Sequence, residues 1–122
     1  MTESRLPDYL DHMRQAAMDA CVYVDGLTKS DFIADKRTQQ AVIMNLVILG
    51  EAATKIIDRH GAFAAANPSI PWQSMRGMRN RIAHGYFDLD LDVVWDTVRT
   101  ALPKLVYDLA EARTGDGNDD RS

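Results

Sequence analysis

Between Ala41 and Ile57 the apolar residues Ala41, Val42, Leu46, Leu49, Ala53, Ile56 and Ile57 recur at three- and four-residue steps, the spacing of one face of an α-helix. A half-buried strand would alternate at every second residue, so the centre of the chain is committed to a long amphipathic helix from about Arg37 to near Gly61. Ser30 can cap a helix beginning at Asp31 just ahead of it. Ile43, Val47 and Ile48 widen the apolar stripe, as in a helix with more than one neighbour, a second subunit among them. Gly50 interrupts the stripe at a cost of about 1 kcal/mol against Ala, and its missing side chain predicts a close helix–helix approach. Glu51 and Lys55 stand four apart and read as a surface pair worth a few tenths of a kcal/mol.

The remaining periodicity is helical as well. After Pro7, suited to a first turn, Leu10, Met13, Ala17, Ala20, Cys21 and Val24 mark a helix that runs up to Gly26. Pro71 and Trp72 open another, with Met75, Met78, Ile82 and Ala83 on its apolar face and Gly85 as a left-handed exit. Asp90 or Asp92 caps a last one, which carries Val94, Trp95, Val98, Ala101, Leu102, Leu105, Val106 and Leu109. Pro103 removes the backbone bond to Arg99 and predicts a bend. Four or five helices with short connections predict an all-α antiparallel bundle. With 122 residues, 46% of them hydrophobic, one domain can bury about two-thirds of its unfolded surface. That domain is expected over residues 1–113, followed by a disordered acidic tail over 114–122. The lone Cys21 gives no disulfide framework. No signal-like segment follows Met1, and the apolar run Ala41–Gly50 is short of the roughly 20 residues of a membrane span. A cytoplasmic protein with no membrane partner is expected.

Chemistry concentrates in Arg79-Asn80-Arg81-Ile82-Ala83-His84-Gly85-Tyr86. It sets a fixed cation, a side chain that titrates near neutrality and a modifiable hydroxyl together, tools suited to phosphodiesters. The net charge of −4 argues against a broad nucleic-acid face, which counterion release rewards only when it is basic. Locally, Arg76, Arg79 and Arg81 have no acid among them in sequence and predict a small positive patch for a phosphate. The helix C-terminus also favours a protonated His84. On an ideal helix Arg79 and His84 point about 140° apart. Either the helix unwinds over Ala83–Gly85, or a two-fold axis brings two chains around one cleft; a share of both is expected.

These residues resemble the HEPN superfamily, whose hallmark is an Arg and a polar residue followed by a His, here Arg79-Asn80 and His84. More narrowly the chain resembles the HepT toxins of HepT–MntA toxin–antitoxin pairs, which add a Tyr two residues after the His, here Tyr86. The resemblance covers about residues 5 to 112, including Gly50-Glu51-Ala52, Pro71-Trp72, Asp90/Asp92, Trp95 and Leu102-Pro103. It implies a homodimeric, metal-independent endoribonuclease of a type VII toxin–antitoxin system that uses the ribose 2′-hydroxyl and needs no cofactor. Arg79, His84 and Asn80 would be catalytic, His84 moving the proton, Arg79 holding the phosphate and Asn80 orienting either. Arg76 and Arg81 would bind RNA phosphates, the substrate being an RNA such as tRNA or mRNA. An MntA-like nucleotidyltransferase antitoxin would transfer AMP to Tyr86, and the new anion would pair with Arg79 or Arg81 and block the site.

Two other readings compete. Asp88, Asp90 and Asp92 could hold a divalent metal, although alternate spacing gathers carboxylates on one side only in an extended segment, and a capped helix begins there. No metal site is assigned. The chain could also be a non-catalytic helical dimer that binds nucleotide or RNA or serves as a protein-interaction module. His12 and His60 read as surface residues.

Overall fold

Pro7 occupies the first turn of α1 (Leu6–Tyr23) in the computed structural model, which describes residues 5–117 and the side chains of its last helix as far as Ala112. Tyr9, Leu10, Met13, Ala16, Ala17 and Ala20 turn inward from α1. Thr28 caps the short α2 (Lys29–Ile33): its hydroxyl accepts from the Asp31 amide at 3.1 Å while the Asp31 carboxylate accepts from the Thr28 amide at 3.0 Å. That reciprocal box satisfies two otherwise orphaned donors, so the cap lies two residues before the expected Ser30. Asp35 then caps α3 (Lys36–Arg59). The Thr38 hydroxyl donates to the same carboxylate at 2.6 Å, and this bond together with the amide bond holds Asp35 below the ordinary aspartate range.

α3 is the axis of the molecule. At 24 residues, with a mean hydropathy of 1.4 over its best 18-residue window, it is long and apolar enough to span a bilayer, contrary to the expectation drawn from Ala41–Gly50 alone. Half of that window is buried against the other helices, as in the central helix of a bundle. Val42, Ile43, Leu46, Leu49, Ala53 and Ile56 face the core, whereas Ile48 and Met44 remain exposed. α4 (Gly61–Ala66) follows as a short helix the apolar spacing did not signal. His60, between α3 and α4, is half-buried and edge-on to Tyr9 at 6.2 Å rather than a plain surface residue; His12 is exposed.

α5 (Trp72–Gly85) runs on into a 3-10 turn, Tyr86–Asp88. Gly85 has φ −148°, not the left-handed value expected of it, and the helix holds its hydrogen-bonded form through His84 instead of unwinding over Ala83–Gly85. Asp90 caps α6 (Leu91–Asp96) by accepting from the Asp92 amide at 2.9 Å. A π-helical stretch, Thr97–Ala101, joins α6 to α7 (Leu102–Gly117). Leu102 donates across five residues to the Thr97 carbonyl, so the widened turn falls immediately before Pro103, whose missing N–H leaves the ordinary ladder open there. The expected bend thus takes the form of a π segment. Ala83 and Ala101, assigned to buried faces from spacing, are exposed. Of the tail set off from Thr114, the backbone through Gly117 is in α7 and residues 118–122 lie outside the described residues.

The four long elements form an open array of antiparallel helices and, among the described residues, there is no strand. α5 lies on α3, α3 on α1, and α1 on α7. α5 and α7 do not close against each other, and an apolar groove of about 290 Å³ remains between them over Leu46, Leu49, Met75, Met78, Leu102 and Leu105.

Candidate active site

The orientation of α5 is fixed at its start. The Trp72 indole N–H donates to the Asn67 carbonyl at 3.1 Å and its ring meets Phe63 edge-on at 6.2 Å. Met75, Met78 and Ile82 then bury one stripe of the helix. With that stripe inward, the polar residues divide between two directions.

Arg76 and Arg79 turn toward α3. The Arg76 Nη2 donates to Asp58 Oδ1 at 2.6 Å, and the Arg79 Nη1 donates to Glu51 Oε2 at 2.9 Å. The Arg79 Nη2 donates to the Thr54 hydroxyl at 3.1 Å. That hydroxyl spends its own proton on the Gly50 carbonyl at 2.8 Å, so toward Arg79 it can act only as acceptor. The two helices approach closely because position 50 is glycine. A Cβ there would sit 2.3 Å from the Arg79 Cβ and 2.8 Å from the Met75 carbonyl oxygen. Glu51 therefore serves Arg79 rather than Lys55, and two of the three arginines expected to form a free positive patch are neutralised by acids from α3.

Glu51 is half-exposed, and an ion pair of that kind contributes about 0–1 kcal/mol. Among the described residues the Arg79 Nε is buried with no hydrogen-bond partner. The Arg79 guanidinium is thus held from α3 at both Nη1 and Nη2, with its side chain only 22% exposed.

Arg81 and His84 turn the other way. Both line an open cleft of about 500 Å³ between the end of α5 and the segment leading into α6, walled by Met78, Leu89 and Val93 and carrying Asp88 and Asp90 on its far side. The Arg81 Nη2 lies 3.8 Å from the Met78 sulfur. Asn80 is exposed on the outer face of α5. Tyr86 stands just beyond the helix end, 41% exposed, and Phe87, 97% exposed, meets it edge-on at 5.6 Å. The three aspartates have separate settings: Asp88 borders the cleft, Asp90 caps α6, and Asp92 pairs with Lys29 of α2 at 3.0 Å. Among the described residues no three His, Cys, Asp or Glu side chains gather as a metal would require.

Within the chain, then, His84 shares a cleft with Arg81 and not with Arg79, as the helical angle requires. Thr54 and Asp58 belong to the surroundings of the arginines and were missed from the sequence, and Glu51 was assigned to Lys55, because periodicity shows partners on one helix and not those on a neighbour. The only hint was Gly50, which announced a close approach without naming what approached.

The profile of the HepT-like family, described as Ribonuclease HepT-like, matches residues 13–111. The "Probable ribonuclease HepT" of Thermococcus cleftensis is 38% identical over 98 residues, 80% of this chain and 86% of that protein. From Methanocaldococcus jannaschii, "Putative RNase MJ0127" is 30% identical over 118 residues, 96% of this chain and 92% of its own length. No solved structure matches the chain significantly.

Proposed function

The chain belongs to the HepT-like ribonuclease family of the HEPN superfamily, and from that premise we propose that it is a metal-independent endoribonuclease, acting as the toxin of a type VII toxin–antitoxin system. The observation that carries this reading is the placement of an exposed His84 in the lining of an open cleft, with Arg81, on the same helix that presents Arg79. In the proposed reaction the ribose 2′-hydroxyl attacks the adjacent phosphorus and the 5′-oxygen of the next nucleotide leaves, giving a 2′,3′-cyclic phosphate. His84 accepts or delivers the proton. Arg79 counters the charge that builds on the phosphorane oxygens. Asn80 orients His84 or a phosphate oxygen, and Arg81 holds a flanking phosphate in the cleft, while Arg76, paired with Asp58 on the α3 side, would hold one on the other face.

The angular separation of Arg79 and His84 is resolved in the proposal by a homodimer, in which the two copies of α5 border one cleft. The unfilled apolar groove between α5 and α7 and the exposed Val93 and Phe87 supply surface for such an association. Tyr86 is proposed as the acceptor of AMP from a cognate MntA-like nucleotidyltransferase: its phenolic oxygen attacks the α-phosphorus of ATP and pyrophosphate leaves. Its exposure just past the helix end supports that role, and an anion added there would compete with RNA for Arg81.

The test is cleavage of a single-stranded RNA with EDTA present, beside the same strand carrying 2′-deoxyribose throughout. Cleavage of the RNA alone, undiminished by chelator, is expected. Loss of all cleavage in EDTA, or equal cutting of both strands, contradicts the mechanism.

A further inference from the structure

Resting on the ribonuclease reading, we infer that Gly50, Glu51 and Thr54 of α3 are a built seat that positions the Arg79 guanidinium for the reacting phosphate. The three residues act as one unit. Gly50 lets α5 approach until the Arg79 stem is wedged against the α3 backbone. Glu51 and Thr54, one turn apart on the same face of α3, then accept from Nη1 and Nη2 at 2.9 and 3.1 Å. The Thr54 hydroxyl cannot turn away, because its proton is committed to the Gly50 carbonyl. Each of the two guanidinium nitrogens keeps a second N–H, so the group is held by one set of donors and still has donors for a phosphate oxygen.

An arginine side chain free in solvent would have to be ordered at each turnover, and it carries several rotatable bonds. Holding it beforehand removes that cost from the barrier, and misplacement by about 1 Å can lower a rate by about 100-fold. The carboxylate's part is geometric. Its oxygen fixes the direction of the N–H bond, so an amide oxygen of the same shape serves in its place.

The variants Glu51→Ala, Glu51→Gln and Thr54→Val are compared with wild type and Arg79→Ala for kcat and KM on RNA, together with thermal unfolding. Glu51 is half-exposed, and all these variants are expected to unfold cooperatively within a few degrees of wild type. Glu51→Ala is expected to lower kcat by about 10-fold or more with KM changed by less than about 3-fold, since the lost contribution is felt in the transition state. Thr54→Val shifts kcat in the same direction, and Glu51→Gln recovers most of the wild-type rate. Wild-type kcat in both Glu51→Ala and Thr54→Val, with Arg79→Ala inactive, overturns the seat and leaves the ribonuclease reading standing. A rate above wild type in Glu51→Ala also overturns it, by making the carboxylate a restraint. Wild-type activity in Arg79→Ala instead brings down the underlying assignment.

Discussion

At the scale of single residues, Gly50 and Arg79 are the most informative pair. Glycine at position 50 was legible as a close approach because an unexplained glycine within an apolar helical stripe has few other uses. The partner was not legible: the acid beside it, Glu51, stands four residues from Lys55 in the favourable order, and the local spacing pointed there. The cross-helix arginine prevailed because α5 is brought in near enough for the Arg79 head to reach Glu51 and Thr54. Gly50→Ala should lose about 1–3 kcal/mol of stability, read by denaturant unfolding, since the clash is with a stem carbon and a backbone carbonyl and outweighs the roughly 1 kcal/mol that alanine adds to helix propensity. Tyr86 is exposed and its hydroxyl is not used in the core. Tyr86→Phe should therefore leave the unfolding midpoint unchanged and remove AMP incorporation by the proposed nucleotidyltransferase partner, followed by intact mass; incorporation at another residue contradicts the proposed switch.

Among the elements, the four long helices were readable from periodicity, and their ends were less so. The cap of α2 fell at Thr28 because the Asp31 carboxylate can close a reciprocal box there, which a cap at Ser30 cannot form with the same acid. α4 is a short alanine-rich turn with no buried residue, so it left no apolar spacing to read. At Pro103 the missing donor was correctly located, and the irregularity it causes takes the form of the π segment Thr97–Ala101. Thr28→Ala should cost about 1 kcal/mol in chemical unfolding through loss of the cap. Asp35 supplies a pH signature for the start of α3. Its folded value is lowered by the Thr38 hydroxyl and amide bonds, so its contribution is present at neutral pH and is lost as pH falls through that lowered value. The acid limb of the stability profile should be shallower in Asp35→Asn, and an unchanged limb would show that the cap carries no linkage.

For the whole molecule, fold class and family follow from the order of helices and the Arg79–Tyr86 run, and both stand on the matched residues 13–111. The composition of the site was half legible. The identities of Arg79, His84 and Tyr86 are local, whereas the division of the arginines, with Arg76 and Arg79 against α3 and Arg81 in the cleft with His84, depends on how α5 is rotated in the array. That division leaves Arg79 and His84 on different faces of one chain, and the proposed cleft served by both draws on two chains. Light scattering should give twice the mass of the 122-residue chain, and a monomer that still cuts RNA would refute the shared cleft. The most direct measurement is RNA cleavage by wild type, Arg79→Ala and His84→Ala, each shown to be folded, with EDTA throughout. Cleavage by the wild type and a fall of about 100-fold or more in both variants is expected; equal cleavage by all three proteins would contradict the assignment of the site.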